Sequence, residues 1–399
     1  MHQSGRHFLQ IPGPTNVPDR ILHAIARPTI DHRSRPFGDL ARDVLRGLKA
    51  VIQTQGHVVI FPASGTGGWE AALTNTLSAG DKVLGFEIGE FSRLWHELAR
   101  QLGIDVEVVA GDWRRGVQPE IVEEKLRGDR AREIKAVLVV HNETSTGVTS
   151  RLPEIRKAID RVGHPALFLV DAISSLASID LRHDEWGIDV TVAASQKGLM
   201  LPPGLSFNAI SEKALLASAS ARLARSYWAW EPMVRANQSG FFPYTPATNL
   251  LYGLQEALRM LDEEGLSNVF VRHKRLADAT RAAVRGWGLD MVCLDPDEAS
   301  NVLTAAMMPD GHDADQFRRL VFDRFNLSLG AGLGRLKARA FRIGHLGDFN
   351  ELMLMGTLCG VEMGLLLAGV PSHRQGVSAA IENLCGSAVT TSNPSGTPL

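Results

Sequence analysis

The amino-acid sequence predicts an α/β fold in which a large domain with a mostly parallel sheet is followed by a smaller C-terminal α+β domain. Between residues 57 and 194, short apolar segments alternate with longer amphipathic segments. Strictly alternating strands and helices are typical of a parallel sheet covered by helices on both faces. After residue 250 the alternation gives way to long helical segments, and a chain of 399 residues has room for a second, smaller domain.

The large domain is predicted over residues 19–260, and its elements follow from the period of the apolar residues. Strands are expected at His57–Phe61, Lys82–Phe86, Val106–Val109, Ala136–Val140, Leu167–Val170 and Val190–Ala194, which completes the series of strands. Helices are expected at Asp19–Ile25, Gly38–Thr54, Trp69–Leu77, Ser92–Leu102, Ile121–Leu126, Leu152–Val162 and Leu250–Met260.

Three further segments flank this domain. Residues 1–18 are expected to form an N-terminal arm, because Ile11–Pro18 is too rich in proline and glycine for a helix. A small domain is predicted over residues 261–370, with strands at Val302–Met307 and Ala340–Ile343 and helices at Leu266–Trp287, Ala314–Asn326 and Asp348–Leu367. Residues 371–399 are rich in serine, threonine, glycine and proline and are expected to form a flexible tail.

The composition argues against several classes of protein. A net charge of -2 gives no basic surface for nucleic acid or for anionic lipids. No apolar run approaches the ~20 residues of a membrane span, and the first residues lack the apolar segment of a signal peptide. Three widely spaced cysteines suggest a reducing compartment, with neither a disulfide framework nor a metal cluster. We therefore expect a cytoplasmic protein.

One lysine follows the predicted core strand Val190–Ala194 directly. Lys197 stands in the segment Ser195–Gly198, where an ammonium group would be poorly solvated. Desolvation lowers the pKa of a lysine and frees its amine as a nucleophile, as Schiff-base formation requires. A surface lysine in a turn is the alternative, and for an isolated lysine it would be the better interpretation.

The segment Ser64–Gly68 joins a predicted strand to a predicted helix. Its small residues let the backbone approach a ligand, and the N–H groups at a helix N-terminus point towards an anion such as a phosphate. The hydroxyl of Ser64 or Thr66 would add a donor. The dinucleotide motif is incomplete because Glu70 stands where its third glycine would be, and no P-loop lysine follows. By itself the segment is equally compatible with a tight turn.

Other polar residues also follow or interrupt apolar strands. Asp171 ends a buried strand, where it could pair with a protonated pyridine nitrogen or with an arginine. Residues 141–147 would bring hydroxyl groups to the same edge of the sheet, and Phe91 could belong to the core or stack on a planar ring. Arg342 lies in a short apolar strand and would favour a carboxylate partner. Together these features suit pyridoxal 5'-phosphate acting on an amino acid.

On these residues the chain resembles the class V aminotransferases of fold-type I, in particular the serine–glyoxylate and alanine–glyoxylate branch. The similarity extends in the family's order over nearly the whole chain up to about residue 370. The matching segments are Pro12–Thr15, Ser64–Thr66, Asn142–Gly147, Val170–Asp171, Ala194–Lys197, Pro202–Gly204, Tyr244–Pro246 and Phe341–Gly344.

The resemblance implies a role for each matching residue. Lys197 would form the Schiff base with the cofactor, Asp171 would reach the ring nitrogen, and both would be catalytic. The other cofactor-binding residues would be Ser64, Gly65 and Thr66 at the phosphate with Gln196 nearby, Phe91 stacked on the ring, Thr144 at the ring hydroxyl, and Thr245. Arg342 would hold the substrate carboxylate, with Gly13 also at the substrate. Since Thr245 would reach the phosphate of the neighbouring subunit, the resemblance implies a homodimer, or a tetramer, with shared active sites.

The implied activity is transfer of the amino group of a small L-amino acid, serine favoured, to glyoxylate, which gives glycine and a 2-oxo acid. Alanine and aspartate are alternative donors. A dicarboxylic donor needs a second cation, and the family resemblance places the loop of His32, Arg33 and Arg35 near the mouth of the pocket. That loop could equally pack at the dimer interface or meet solvent, and the role of the aromatic segment Tyr227–Trp230 stays open.

Other functions are less compatible with the sequence. A desulfurase needs a reactive cysteine on a flexible loop, whereas the loop Gly330–Gly334 contains none and Cys359 lies in an apolar helical stretch. A regulator fused to a cofactor-binding domain would carry an extra DNA-binding segment, for which neither terminus has room. A nicotinamide dehydrogenase would need the third glycine that the segment after Ser64 lacks.

Overall fold

The computed structural model describes residues 5–389 and contains two main β-sheets. The strands in chain order are β1 (Phe8–Gln10), β2 (His57–Phe61), β3 (Lys82–Glu87), β4 (Asp105–Ala110), β5 (Ile134–Val140), β6 (Asn142–Glu143), β7 (Val148–Thr149), β8 (Leu167–Asp171), β9 (Val190–Ala194), β10 (Ser206–Ile210), β11 (Leu303–Met307), β12 (Leu327–Ala331) and β13 (Ala340–Gly344). The predicted α/β class is confirmed.

Helices cover the sheets and form most of the C-terminal part of the described chain. They are α1 (Asp19–Ile25), α2 (Arg35–Ile52), α3 (Gly65–Thr76), α4 (Glu90–Gln101), α5 (Pro119–Gly128), α6 (Leu152–Val162), α7 (Glu212–Ser220), α8 (Trp230–Gln238), α9 (Thr248–Glu264), α10 (Leu266–Gly286), α11 (Ala314–Phe325), α12 (Glu351–Leu367) and α13 (Gly376–Val389). None of the helices in the described range combines the length and hydrophobicity needed to cross a membrane.

The large sheet has seven strands in the order β2-β10-β9-β8-β5-β3-β4. Strands β4, β3, β5, β8 and β9 pair in parallel, and β10 alone pairs antiparallel, with both β9 and β2. The carboxyl ends of β5, β8 and β9 therefore meet at one edge. In open α/β sheets this edge is where ligands bind.

The strand β10 corrects the expectation that Val190–Ala194 ends the series of strands. Ser195 accepts a hydrogen bond from Leu205 N at 3.2 Å and donates one to Pro202 O at 2.8 Å, which closes a tight connection back along β9. The sequence pattern did not indicate this strand because it contains a polar residue, Asn208, at a buried position. The Asn208 side chain is satisfied by Gly68 O and by the indole N–H of Trp230, at 3.2 and 3.1 Å.

The second sheet has four strands in the order β1-β12-β13-β11. Its first strand comes from the predicted N-terminal arm, where Phe8–Gln10 pairs in parallel with Leu327–Leu329. The arm is thus partly a strand, because its apolar residues complete the small sheet. The predicted domain boundary at residue 260 falls inside α9, which continues to Glu264.

The expectation of a flexible tail from residue 371 is wrong for residues 376–389, which form α13. Ala380 is fully buried and Leu384 is 6% exposed, and both join the core of the small domain. Glu362 ties the start of α13 to α10, because it accepts from Val377 N at 2.9 Å and from the Trp287 indole at 2.8 Å. The apolar residues spaced along 377–384 outweigh the polar composition around them. Residues 390–399 of the predicted tail lie outside the described range.

We predict that α13 is required for stability. Leu384→Ala should lower the free energy of unfolding by about 2–5 kcal/mol, because it removes a buried side chain from the core. Ile381→Ala is the matched control: this residue lies on the same helix, is 46% exposed, and should change stability by less than about 0.5 kcal/mol. Urea unfolding of both variants measures the difference, and equal effects would contradict the packing of α13.

Candidate functional site

Lys197 lies just beyond the end of β9, at the carboxyl edge of the large sheet. Its side chain is buried, and Nζ donates a hydrogen bond to Pro12 O at 2.7 Å. Burial lowers the pKa of Lys197 to about 8; the positive charge of Arg342 acts in the same direction and the carboxyl of Asp171 opposes it. Near pH 8, a substantial fraction of the protein molecules therefore carries Lys197 as a neutral amine.

The N-terminal arm packs directly on this lysine. A Cβ on Gly13 would lie 2.4 Å from Lys197 Cδ and 2.7 Å from Nζ, so a larger residue at this position would displace the end of the lysine side chain. Gly13 also has a φ of +89°, a conformation that favours glycine. Thr15 N donates to Gln196 O and Thr15 Oγ1 to Lys197 O, both at 3.3 Å. These contacts fix the arm against the lysine segment.

Asp171 ends the neighbouring strand β8 and is 4% exposed. Ile173 N donates to its Oδ1 at 2.7 Å, and the indole N–H of Trp69 donates to Oδ2 at 3.1 Å. Burial raises the pKa of Asp171 to about 7, and the nearby Glu143 raises it further, whereas these two donors and Lys197 lower it. Since both direct donors are neutral, the carboxylate suits a ligand that carries a protonated nitrogen.

Arg342 reaches the same site from β13 of the small domain and is 8% exposed. Its Nε donates to Ala331 O and its Nη1 to Thr144 O, both at 2.7 Å. Burial lowers the pKa of Arg342 to about 10, and the charge of Glu143 partly opposes this shift. Because both acceptors are neutral carbonyl oxygens, the guanidinium retains a positive charge that a substrate carboxylate could neutralise.

The loop after β5 connects these groups. Thr144 Oγ1 donates to Ser174 Oγ at 2.9 Å, beside the Asp171 segment. Glu143 is fully buried and accepts from the backbone N–H groups of Phe91 at 3.3 Å and Ser92 at 3.0 Å. Phe91, which is partly buried, is thereby held at the second position of α4 next to the loop.

The predicted phosphate segment forms the N-terminus of α3. Ser64 is the N-cap residue and makes no capping hydrogen bond with its side chain, and both Ser64 and Thr66 are exposed. A Cβ on Gly65 would lie 2.3 Å from Ile173 Cδ1, so glycine lets the helix start close to the Asp171 segment. The amide oxygen of Gln196 is buried and has no hydrogen-bond partner in the described part of the chain. A bound anion could use the N–H groups of this helix end.

In the described chain, Thr245 and the loop that contains Arg33 and Arg35 form no hydrogen bond or ion pair with the cluster around Lys197. Thr245 is exposed, next to Tyr244, whose ring stacks on Tyr227 with centroids 4.7 Å apart. Arg33 and Arg35 are exposed at the start of α2, which Ser34 caps by accepting from Phe37 N. Among residues 5–389 the structure gives no hydrogen bond or ion pair that joins these residues to Lys197.

The aromatic segment Tyr227–Trp230 has a structural role in the described chain. Trp228 donates to Glu70 Oε1 at 3.2 Å, and its Cη2 would lie 2.8 Å from a Cβ on Gly67. Trp230 is fully buried and donates to Asn208. The segment therefore supports the beginning of α3 and the strand β10.

Two site residues, Trp69 and Glu143, were not singled out by the sequence analysis. Trp69 lies four residues after Gly65, so a helix beginning at Gly65 places both on one face, and this spacing was an available signal. Glu143 stands between the recognised residues Asn142 and Thr144, but its partners at the start of α4 are about 50 residues away in the chain. The structural role of Glu143 therefore depends on contacts between segments that are distant in the sequence.

Comparisons with known proteins identify relatives over nearly the full length. The family model for class V aminotransferases matches residues 8–333. A serine–glyoxylate aminotransferase from Methylorubrum extorquens is 50% identical over 383 residues, which cover 94% of this chain and 95% of that protein. An L-aspartate–glyoxylate aminotransferase from Paracoccus denitrificans is 43% identical over 375 residues, covering 94% and 95%.

A solved structure extends the similarity to the fold. The alanine–glyoxylate aminotransferase from Nostoc sp. superposes with a TM-score of 0.85 at 27% identity, and the match covers 91% of this chain and 96% of that one. The family expected from the sequence motifs is confirmed, and so is its fold-type I architecture. Because the family model covers most of the chain and the relatives match it nearly end to end, the chain belongs to the class V aminotransferases.

Proposed function

We propose that this enzyme transfers the amino group of a small L-amino acid, with serine favoured, to glyoxylate. The observation that carries this proposal is the convergence of Lys197, Asp171 and Arg342, three buried ionisable groups, none of which forms a direct ion pair in the described chain. An amino acid and a cofactor with a protonated ring would supply the missing counter-charges. The relatives named for transfer to glyoxylate, at 43% and 50% identity, support this acceptor.

The residues of the site fit pyridoxal 5'-phosphate, the cofactor of the family. When bound, this cofactor withdraws electrons from the substrate α-carbon and makes the α-proton acidic. The N-terminus of α3 has no side-chain cap at Ser64, which leaves backbone N–H groups available to a phosphate, and the contact of Gly65 with Ile173 brings this helix end beside the Asp171 segment. The residues proposed to hold the cofactor are Ser64, Gly65, Thr66, Phe91, Thr144, Asp171, Gln196, Lys197 and, from the neighbouring subunit, Thr245.

Lys197 would serve as both covalent anchor and proton carrier. With a pKa of about 8, Nζ is neutral often enough to act as a nucleophile and as a general base near neutral pH. With its amine free, the same Nζ would take the substrate α-proton and return it to another carbon. The contact with Pro12 O orients Nζ, and Gly13 leaves the space in which it moves.

Asp171 and Arg342 would orient the reactants from opposite sides. A protonated ring nitrogen beside Asp171 would lower the pKa of the carboxyl, so that the carboxylate and the ring proton stabilise each other. Arg342 would hold the substrate carboxylate through its guanidinium, with Gly13 lining the substrate pocket. One buried arginine suits a donor with a single carboxylate, such as serine or alanine.

The assembly and location are also proposals. Thr245 is exposed, and the resemblance to the family assigns it to the phosphate of a neighbouring subunit, which supports a homodimer with shared active sites. A tetramer of such dimers is compatible with the same contact. We also propose a cytoplasmic location, which rests on the three free cysteines.

Lys197→Ala should abolish transamination and the visible absorbance of the bound cofactor while leaving the fold intact, because no other amine occupies this position. Lys213→Ala is a matched control: its Nζ donates to Ala166 O at the amino end of β8, away from the site. Activity assays and absorbance spectra of the two variants test the assignment. A coloured, active Lys197→Ala enzyme would show that the lysine is misassigned.

The donor preference can be tested on the basic loop. If serine is the donor, kcat/KM should favour serine over aspartate and Arg35→Ala should leave that ratio unchanged. If the wild type prefers aspartate and Arg35→Ala selectively removes the preference, the serine assignment is overturned, since losing a desolvated charge pair costs ~2–5 kcal/mol. Arg46→Ala, an exposed arginine on the same helix whose side chain is 76% exposed, controls for general charge effects.

Subunit complementation tests the shared site. Lys197→Ala and Thr245→Glu homodimers should each be inactive, the second because a carboxylate would repel the phosphate. Mixed under exchange conditions, they should recover about a quarter of wild-type activity, because half of the dimers are then mixed and each has one intact site. No recovery despite proven exchange, or a fully active monomer, would refute the shared site.

A further inference from the structure

The Asp171 carboxylate is oriented by two donors that come from different parts of the chain. The backbone of Ile173 occupies Oδ1 from within the same segment, whereas the indole of Trp69 occupies Oδ2 from helix α3. Each oxygen keeps a further lone pair for a ligand. Removal of the indole would free the carboxylate to rotate away from that ligand.

Helix α3 meets the Asp171 segment at two points on one face. Gly65 packs against the side chain of Ile173, and Trp69, one turn later, reaches Asp171. Residues four apart lie above each other on a helix. The helix whose N-terminus is proposed to bind the phosphate of the cofactor therefore also provides a hydrogen-bond donor to the Asp171 carboxylate.

The Trp69 ring is itself fixed by packing. It is 3% exposed and lies nearly parallel to the ring of Trp95, with centroids 5.8 Å apart and an angle of 14°. Trp95 is also buried, but its indole N–H has no hydrogen-bond partner in the described part of the chain. The pair thus contains one indole that donates to a carboxylate and one that does not.

We propose that Trp69 is a positioning residue for catalysis: its indole N–H fixes the orientation of Asp171 and stabilises the ionised carboxylate that the reaction needs. This inference rests on the proposed role of Asp171 at the cofactor ring. Phenylalanine at position 69 would keep an aromatic ring in the stack and remove the donor together with part of the buried ring volume, a loss of volume that Trp95→Phe shares.

The charges around Asp171 determine the direction of the expected effect. Glu143 from β6 disfavours the ionised form and Lys197 after β9 favours it. His141, at the end of the neighbouring strand β5, is neutral because burial lowers its pKa to about 4. With the pKa of Asp171 already raised to about 7, loss of the Trp69 donor should raise it further, by about one to two pH units.

This shift has a defined consequence for the stability of the cofactor-free protein. A carboxyl with a raised pKa binds its proton more tightly in the folded state, so its contribution to stability is greatest at low pH. That contribution decreases as the pH rises from about 4, the usual value of an aspartate, through the folded value near 7. In Trp69→Phe the decrease should continue to higher pH, and in Asp171→Asn it should disappear.

The test compares Trp69→Phe with Trp95→Phe, which deletes an N–H without a partner. In the cofactor-free proteins, the carboxyl band of Asp171 is followed against pH by infrared difference spectra, using Asp171→Asn as the reference. Its midpoint should rise by about one to two pH units in Trp69→Phe and stay at the wild-type value in Trp95→Phe. Equal midpoints in wild type and both variants would overturn the proposal.

A second measurement separates positioning from packing. With pyridoxal 5'-phosphate added, the pH midpoint of the cofactor absorbance should move upward in Trp69→Phe alone. If the wild type binds no cofactor, the proposed function fails while the cofactor-free titration still tests Trp69. If Trp69→Phe does not fold, Trp69→Phe/Asp171→Asn should fold because it removes the unsupported charge. Failure of this double variant as well would overturn the proposal and assign Trp69 to packing alone.

Discussion

Desolvation of ionisable side chains at the carboxyl edge of the large sheet is the constraint on which the site depends. Lys197, Asp171 and Arg342 are each buried, and their direct hydrogen-bond partners are neutral carbonyl, amide or indole groups. Burial therefore lowers the pKa of Lys197 and of Arg342 and raises that of Asp171, which favours the neutral form of each group. Such a site is poorly compensated when empty, and a ligand that brings a phosphate, a protonated nitrogen and a carboxylate is the complement it lacks.

The site exists only because the two domains and the N-terminal arm meet there. Arg342 belongs to the small sheet but donates to the backbone of Thr144 on the large domain. The arm runs from its strand in the small sheet to Lys197, where the absence of a side chain on Gly13 leaves room for the end of the lysine side chain. A change in the relative orientation of the two sheets would therefore move Arg342 relative to Lys197.

The sequence predicted elements with a strong local pattern more closely than contacts between distant segments. Val190–Ala194 and Leu152–Val162 have the predicted bounds, because their apolar periodicity reflects local burial. The strand β10 and the helix α13 were missed, since buried Asn208 is satisfied in part by the backbone of Gly68, which is distant in the chain, and α13 lies in a segment of polar composition. The role of Glu143 depends on partners on another element, which no local pattern reveals, whereas the spacing from Gly65 indicated the face of α3 on which Trp69 lies but not its partner Asp171.

The raised pKa of Asp171 connects function with stability. Since an ionised carboxylate in this position is less stable than a solvated one, the empty protein loses stability as the pH rises towards 7. A ligand that pairs with the carboxylate would reverse this loss, and by linkage the stability of the folded state would rise with the logarithm of the ligand concentration relative to its Kd. Trp69 limits the cost in the empty protein by donating to Oδ2, while it leaves the second lone pair available. The same hydrogen bond thus stabilises the buried charge of Asp171 and fixes the orientation of its carboxylate.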